Sequence, residues 1–510
     1  MIVVIVIGFP IALVLAWAYE VKPEEPREAE KAPIPAIDTP ESEQRKSIVV
    51  LPFDNMSPEA GDAYFADGLT EEIITNLSYI HSLRVISRNS AMVLKGTHKS
   101  TQAIAAELDV QYVLEGSVRK AGTDLRITAQ LIDAESDEHL WAEKYDGVLG
   151  DVFGMQEQVS ESIADALKLT LTSAERNAFA ERPVEDVQAY DCYLRARHEI
   201  YHLTKEALER ALRTLQNGLD LFPDNALLTA TLGEAYLWHF DLGIITDETI
   251  LDKAEEFARR SLSINPRLAQ GRKLLGLLER ARGSLIESCR QLKAAYDTDP
   301  NDPGIVVNTA AALEAYAGRP VVAAPIWKHL LEIDPLTSIN WLFAGLGKLI
   351  EGDPMEALLM LQRSEALDPD FPHTRFWIAY VTAANGETNA AIEVLDATID
   401  AGLPDPIGPL ALFLRHVLAS DEEAALAALD EDTRRYAWAD PDFSYLMPGF
   451  FALINRTEDA LEWLQHAVDR DFFNYPYLAE TGPFLENLRG EERFQEMLEE
   501  VKQKWEYFEV

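Results

Sequence analysis

Residues 276–300 read GLLERARGSLIESCRQLKAAYDTDP, and residues 345–369 read GLGKLIEGDPMEALLMLQRSEALDP. Laid over one another, they agree at a small residue (Gly276, Gly345), a glycine (Gly283, Gly352), a second small residue (Ser288, Ala357), a leucine (Leu292, Leu361) and a closing proline (Pro300, Pro369). The same points recur further along the chain. Pro223, Pro266, Pro300, Pro335, Pro369 and Pro404 follow at intervals of 43, 34, 35, 34 and 35. Gly283, Gly318, Gly352, Gly386, Ser420 and Asn455 keep the same time, at 35, 34, 34, 34 and 35. A fixed period of this length marks a stack of supersecondary units, so function belongs to a surface and not to one pocket.

The two small points let antiparallel helices approach closely. The large apolar residue (Leu292, Trp327, Leu361, Leu395, Leu429, Leu464) fills the groove between neighbours, and the proline ends each second helix. The small residue of the second helix, at Ala211, Ala254, Ser288, Ala323, Ala357, Ala391, Ala425 and Ala460, predicts about eight pairs over residues 185–483. The longer first interval places extra residues around Phe240–Glu248. The pattern, which also appears as Leu232-Gly233-Glu234-Ala235-Tyr236, resembles the tetratricopeptide repeat (TPR). That resemblance implies an α-solenoid whose concave groove holds a protein or peptide partner, with residues 484–510 as a capping helix. Spacing the protein or making a homo-oligomer is the other use of such an array.

Residues 47–175 follow a different rule. Ser47–Phe53 is a short buried-strand pattern, and a polar loop leads to an amphipathic helix carrying Leu69, Ile73, Ile74 and Leu77. Leu83–Ile86, Tyr112–Arg119, Leu125–Ile132 and His139–Tyr145 read as further strands; Thr101–Leu108 and Val152–Leu171 read as helices. The order β-α-β-α-β-β-β-α predicts a mixed sheet with helices packed on it. The segments SIVVLPFDNMSP, YFADGLTEEI, LRVISRNS, YVLEGSVRKAG and RITAQLIDAESDEHLWAEKYD resemble the TolB amino-terminal-like domain of bacterial membrane-anchored TPR proteins. The fold class is therefore α/β plus all-α: a TolB-like domain, a TPR solenoid and an amino-terminal transmembrane helix.

Ile2–Tyr19 carries no charge and is nearly long enough to span a hydrocarbon core, with Trp17 and Tyr19 at its end. No basic residue precedes it and no small-x-small site comes after it, so residues 1–19 read as an uncleaved anchor, not a secretory signal. Lys22, Arg27 and Lys31 favour a cytoplasmic side for the soluble domains, at a bacterial inner membrane crossed once. The run also resembles the second helix of a membrane hairpin seen in relatives of this kind. The first helix of that hairpin is absent here, so an upstream segment is expected to be missing. Residues 20–46, rich in proline and glutamate, read as a tether.

The net charge of -41, from 45 basic and 86 acidic residues, argues against a nucleic-acid partner. Cys192 and Cys289 lie in helical patterns, form no ligand spacing and read as buried free thiols. Asp54, Asn55, Asp67 and Gly68 flank the loop after the first strand, where α/β folds often bind ligands; turn and cap chemistry by Asx residues is the competing account. His198-Glu199-Ile200-Tyr201-His202 matches H-E-x-x-H, which on a helix can hold zinc. In the repeat register those histidines fall mainly at helix-packing points, so no metal is expected there. Asp297–Asp302 superficially resembles a calcium loop, but Asp302 stands where glycine is required and Asn308 where a bidentate glutamate is required.

These features predict a membrane-anchored, non-enzymatic adaptor without cofactors, its partner held by the TPR superhelix. Relatives of the TolB-like module are often fused to cyclase, kinase or winged-helix domains. The second expectation is thus a regulatory subunit, or a remnant, of a cyclase- or kinase-type signalling protein in which the TolB-like domain senses a ligand. A zinc hydrolase at the HEIYH motif is the third.

Overall fold

The computed structural model describes residues 45–509, apart from 59–62, 174, 177–185, 201–203, 242–243, 245–246, 248, 370 and 403–406. The expected anchor and nearly all of the tether lie outside the described residues. Among the described residues, no helix is long and apolar enough to cross a membrane.

Among the described residues six strands make one sheet: β1 (Lys46–Val50), β2 (Asp54–Asn55), β3 (Leu83–Val85), β4 (Tyr112–Ala121), β5 (Asp124–Asp133) and β6 (Glu138–Val148). The order is β3-β1-β4-β5-β6, with β2 also beside β4. β1 runs parallel to β3 and β4, whereas β4, β5 and β6 are antiparallel neighbours. The parallel pairs need crossovers, supplied by α1 (Ala63–Ser78), α2 (Arg88–Val93) and α3 (Thr101–Leu108). Ile48, Val49 and Val50 are all fully buried, as a central parallel strand requires. β5 alternates instead, burying Leu125, Ile127, Ala129 and Leu131 against α4 (Val152–Ala166) and leaving its other face to water. Two elements are absent from the sequence expectation, β2 and α2. Both are too short for a periodic signal; α2 is defined by its cap, Ser87 Oγ accepting from Ser90 N–H.

Eight helix pairs follow among the described residues. Their first helices are Val187–Ile200, Ala226–Asp241, Ala269–Arg282, Pro303–Ala311 with a π turn to Tyr316, Ser338–Ile350, Pro372–Ala384, Ile407–Leu418 and Pro441–Leu453. Their partners are Lys205–Leu221, Thr249–Ile264, Leu285–Thr298, Pro320–Ile333, Pro354–Leu367, Thr388–Ala401, Glu422–Ala428 and Thr457–Asp469. The extra residues of the second pair fall between Asp241 and Thr249. The glycine beat has a backbone cause: Gly283, Gly318, Gly352 and Gly386 have φ of 82°, 57°, 88° and 85°, and Ser420 and Asn455 continue it at 57° and 60°. A left-handed residue ends each of these first helices and turns the chain back. The small-residue beat has a packing cause. A Cβ on Gly276 would stand 2.7 Å from Leu292 Cγ, and Ala211, Ala254, Ser288, Ala323, Ala357, Ala391, Ala425 and Ala460 are all fully buried.

Two large cores result: one joins the sheet domain to pairs 1 and 2, and the other runs from pair 3 to the last helix, Glu492–Tyr507. Two smaller clusters, around Ala254 and Leu274 and around Ala269 and Ile305, join pairs 2, 3 and 4. The concave face expected to hold a partner is covered by the chain itself. Phe443 packs on Phe376 and stacks on Trp377, and Phe450 and Phe484 meet the Tyr380 ring edge-on. Asn474 donates to the Glu314 and Ala315 carbonyls, and Thr481 to that of Ile350. The sheet domain covers the other flank. Every described residue in the first helices of pairs 2, 4 and 6 is buried or half-buried as a result. For residues 441–508 the cause is aromatic: large rings on both surfaces remove more apolar area from water by meeting than by facing solvent.

Candidate functional site between the sheet domain and the helical array

The residues singled out in the sequence do not form one cluster. Asp54 is exposed and lies in β2 opposite Ser117, while the Asn55 side chain accepts from Ser57 N–H at 3.0 Å, an Asx turn. Asp67 is on the second turn of α1, buried, and takes Lys95 Nζ at 2.5 Å with His198 Nδ1 at 3.8 Å. Gly68 is a packing residue: a Cβ there would stand 2.5 Å from both Leu194 methyl carbons. Glycine thus lets α1 lie directly on the first helix of the array.

Within HEIYH, Glu199 is gripped by Arg210 at 2.9 and 2.7 Å, His198 points to Asp67, and His202 lies outside the described residues. The carboxylate a zinc hydrolase would use as base is thus engaged by the neighbouring helix. No group of three potential metal ligands occurs among the described residues. Asp302 caps the first helix of pair 4, accepting from Ile305 N–H at 3.0 Å, which is repeat-end turn chemistry. Cys289 is buried with its thiol pushed up by desolvation, and Cys192 is half-buried.

What the fold assembles is a continuous polar seam. Glu71 of α1 pairs with Arg88 at 3.2 Å and Arg197 at 3.4 Å; Arg197 reaches Glu234 at 3.8 Å, and Glu234 takes Lys273 at 3.1 Å. Burial alone would raise the Glu234 pKa, but Lys273 and Arg197 hold it below the ordinary carboxylate value. Burial would lower that of Lys273, yet Glu234 and Asp302 raise it. The charges therefore stay paired across α1, α2 and the first helices of pairs 1 to 3.

The seam's second knot is Asp334, fully buried at the end of pair 4. Its Oδ1 accepts from Ser87 Oγ and Ser90 Oγ, both at 2.6 Å, from Ser90 N–H at 3.1 Å and from Thr337 Oγ1 at 2.9 Å. Its Oδ2 accepts from Asn340 Nδ2 at 2.8 Å. The backbones join as well: Ser87 N–H donates to the Ile333 carbonyl at 2.7 Å, and Leu336 N–H to Ser90 Oγ at 2.9 Å. A carboxylate with this many donors satisfies its lone pairs without a cation. Nothing in residues 330–340 marks Asp334 as special, since Asp-Pro also ends pairs 3 and 5. Ser87 and Ser90 sit in the segment LRVISRNS, and the Ser-x-x-Ser spacing at a helix start is the signal that could have found them.

A buried acid lies at the π turn. Glu314 is 1% exposed, accepts from Trp327 Nε1 at 2.5 Å, and is pushed up to about 8 by desolvation and then by Glu351. Its other oxygen has no donor among the described groups, consistent with a proton held there.

The sequence profile of the second domain of HilA/YgeH-like transcriptional regulators matches residues 44–161, the sheet domain and most of α4. A putative adenylate cyclase 3 from Rhizobium meliloti is 42% identical over 214 residues, 42% of this chain and 36% of that protein. The transcriptional regulator HilA of Salmonella typhimurium is 28% identical over 108 residues, 21% of this chain and 20% of that protein. The chain thus spans about a third of the cyclase and a fifth of HilA. A solved tetratricopeptide repeat protein from Parabacteroides merdae aligns over 52% of this chain and 98% of its own, at 16% identity and a TM-score of 0.34. A score at this level says nothing of function. The helix pairs, their period and their left-handed turns speak for themselves. The array is TPR-like.

Proposed function

We propose that this chain is a non-enzymatic scaffold that offers a protein partner the outer face of its TPR-like array. The observation that supports this most directly is the exposure of Val321 (87%), Met355 (61%) and Leu359 (61%) on the second helices of pairs 4 and 5. Val321 and Met355 are one repeat apart and so face the same way. Large apolar side chains this open, on a chain of net charge -41, mark an interaction surface more readily than a solvated face. The concave groove, the partner site implied by the TPR resemblance, would open to a peptide only if residues 441–508 withdrew. In this proposal residues 2–19 anchor the scaffold in a bacterial inner membrane. Affinity capture with the full chain and with a Val321→Lys, Met355→Lys, Leu359→Lys variant is the test. Partners held by the first and lost by the second, with circular dichroism unchanged, support the reading; identical partners from both refute it.

The likeness to a putative adenylate cyclase over 214 residues supports a second reading, the regulatory part of a cyclase-type signalling protein. Ligand sensing would then belong to the seam, through Asp67 and the helix it sits on, more than to Asp54, Asn55 or Gly68. Grafting this chain in place of the matching region of that relative and following cyclase activity tests it. Activity indifferent to the Asp334→Ala substitution in the graft would reject a regulatory role for the seam.

A further inference from the structure

β6 ends the sheet: among the described residues no element pairs with its outer edge. It is eleven residues long, and eight of them, Glu138, His139, Leu140, Ala142, Glu143, Lys144, Asp146 and Val148, are exposed. An edge of this length presents a row of backbone donors and acceptors to whatever extended chain comes near. The register shift opposite Leu131 and Ile132 places a bulge near Leu140, which leaves residues 141–148 as the regular stretch.

A second feature adjoins the same edge. A depression of about 640 Å³ opens between β6 and the start of α4, lined among others by Tyr145, Asp146, Gly147, Gly150, Asp151 and Gln158. The glycines leave it wide, since a Cβ on Gly150 would meet nothing within 4 Å. Its charges are unequal. Asp146 is already matched by Arg126 at 2.5 Å and Lys144 at 3.6 Å. Asp151 is exposed, accepts only a long 3.4 Å bond from Val148 N–H, and forms no ion pair among the described residues. Tyr145, its hydroxyl bonded to Ser162 Oγ of α4 at 3.1 Å, and Trp141, 6.5 Å from it between ring centroids, form an aromatic floor beside the edge.

We propose that the free edge of β6 and this depression form a strand-addition site for an extended, basic peptide segment. The segment's backbone pairs with residues 141–148, an apolar side chain rests on Trp141 and Tyr145, and a Lys or Arg enters the depression to meet Asp151. Alternation along an added strand supplies that spacing, because side chains two apart share a face. Glu138 and Glu143 extend the complementary charge along the strand. The site is on the sheet domain and does not rest on the outer-helix patch, so either proposal can fail alone.

The test is fluorescence anisotropy with the full chain and three labelled peptides. They are a Lys–Val peptide of about eight residues with the repeat Val-Thr-Lys-Thr, which sets Val and Lys two apart on one face, its Glu–Val counterpart with Glu for Lys, and the Lys–Val peptide interrupted by two prolines. The Lys–Val peptide is expected to bind saturably, the other two about tenfold more weakly or less, and Asp151→Lys to weaken Lys–Val binding by about tenfold with an unchanged melting temperature. Equal binding of the proline peptide would reduce the effect to charge and overturn the proposal. So would indifference to Asp151→Lys, or no saturable binding up to roughly 1 mM. A concentration-dependent dimer that protects β6 from hydrogen exchange would give the edge to a second copy and overturn it too.

Discussion

Replacing Asp334 with alanine removes the acceptor that ties the sheet domain to the end of pair 4. Six donors lose their partner: the Ser87 and Ser90 hydroxyls, the Ser90 amide, the Thr337 hydroxyl, the Asn340 side-chain amide and, at 3.4 Å, that of Asn89. Ser87 and Ser90 can partly recover, because the Ser90 amide also donates to Ser87 Oγ and the hydroxyls can rotate. The Asn340 amide keeps a bond to the Asp334 carbonyl. Two or three orphaned buried donors at about 1–3 kcal/mol each, less that recovery, put the loss at roughly 3–5 kcal/mol. Asp334→Asn should cost less, because one oxygen still faces the serines while its amino group opposes the Asn340 donor. Urea denaturation of the full chain, followed by tryptophan fluorescence, measures both. A double-mutant cycle with Ser90→Ala separates the knot from general packing, and a coupling of about 1–2 kcal/mol is expected. Hydrogen exchange at residues 87–90 should rise in step. A loss below about 1 kcal/mol, or strict additivity with Ser90→Ala, would refute the idea that this carboxylate fastens the two parts.

The left-handed beat and the buried acid make two further predictions. Ser420 holds φ of 57° where four earlier repeats have glycine, so Ser420→Gly should raise stability by roughly 0.5–1 kcal/mol in the same denaturation assay; a loss would contradict the backbone account. Glu314 holds its proton up to about 8, above its ordinary 4.5, so the folded state binds a proton that the unfolded state has released between those values. Its stabilising contribution is full below about pH 4.5 and is lost as pH rises through about 8. Glu314→Gln should therefore match the parent near pH 5 and exceed it at pH 9, with a ceiling of about 4–5 kcal/mol; melting curves that stay parallel across that range would exclude a protonated Glu314.

Much of the array was legible because its determinants are local. A glycine that must take positive φ, an alanine where two helices cross and a proline where one stops depend on neighbours a few residues away, so they recur with the period. The sheet was legible for the same reason, through runs such as Ile48–Val50 and the alternation of β5. The short β2 and α2 escaped because a few residues carry no period. Asp54 and Asn55 looked like a site because turn chemistry and ligand chemistry use the same residues. Gly68 looked like one because a glycine needed for helix contact resembles a glycine needed for a ligand.

The sequence by itself determined the period, the place of each turn and the division into a mixed sheet and helix pairs. Only the tertiary structure decided that the array closes over its own inner face, since Phe443 meets Phe376 two pairs away and Asp442 meets Arg280 five pairs away. Only it decided that Asp334, one of several Asp-Pro aspartates, is the one sealed against Ser87 and Ser90. The reason is physical: burial and desolvation belong to a place in the fold, and residues more than two hundred positions apart leave no local pattern that announces their meeting.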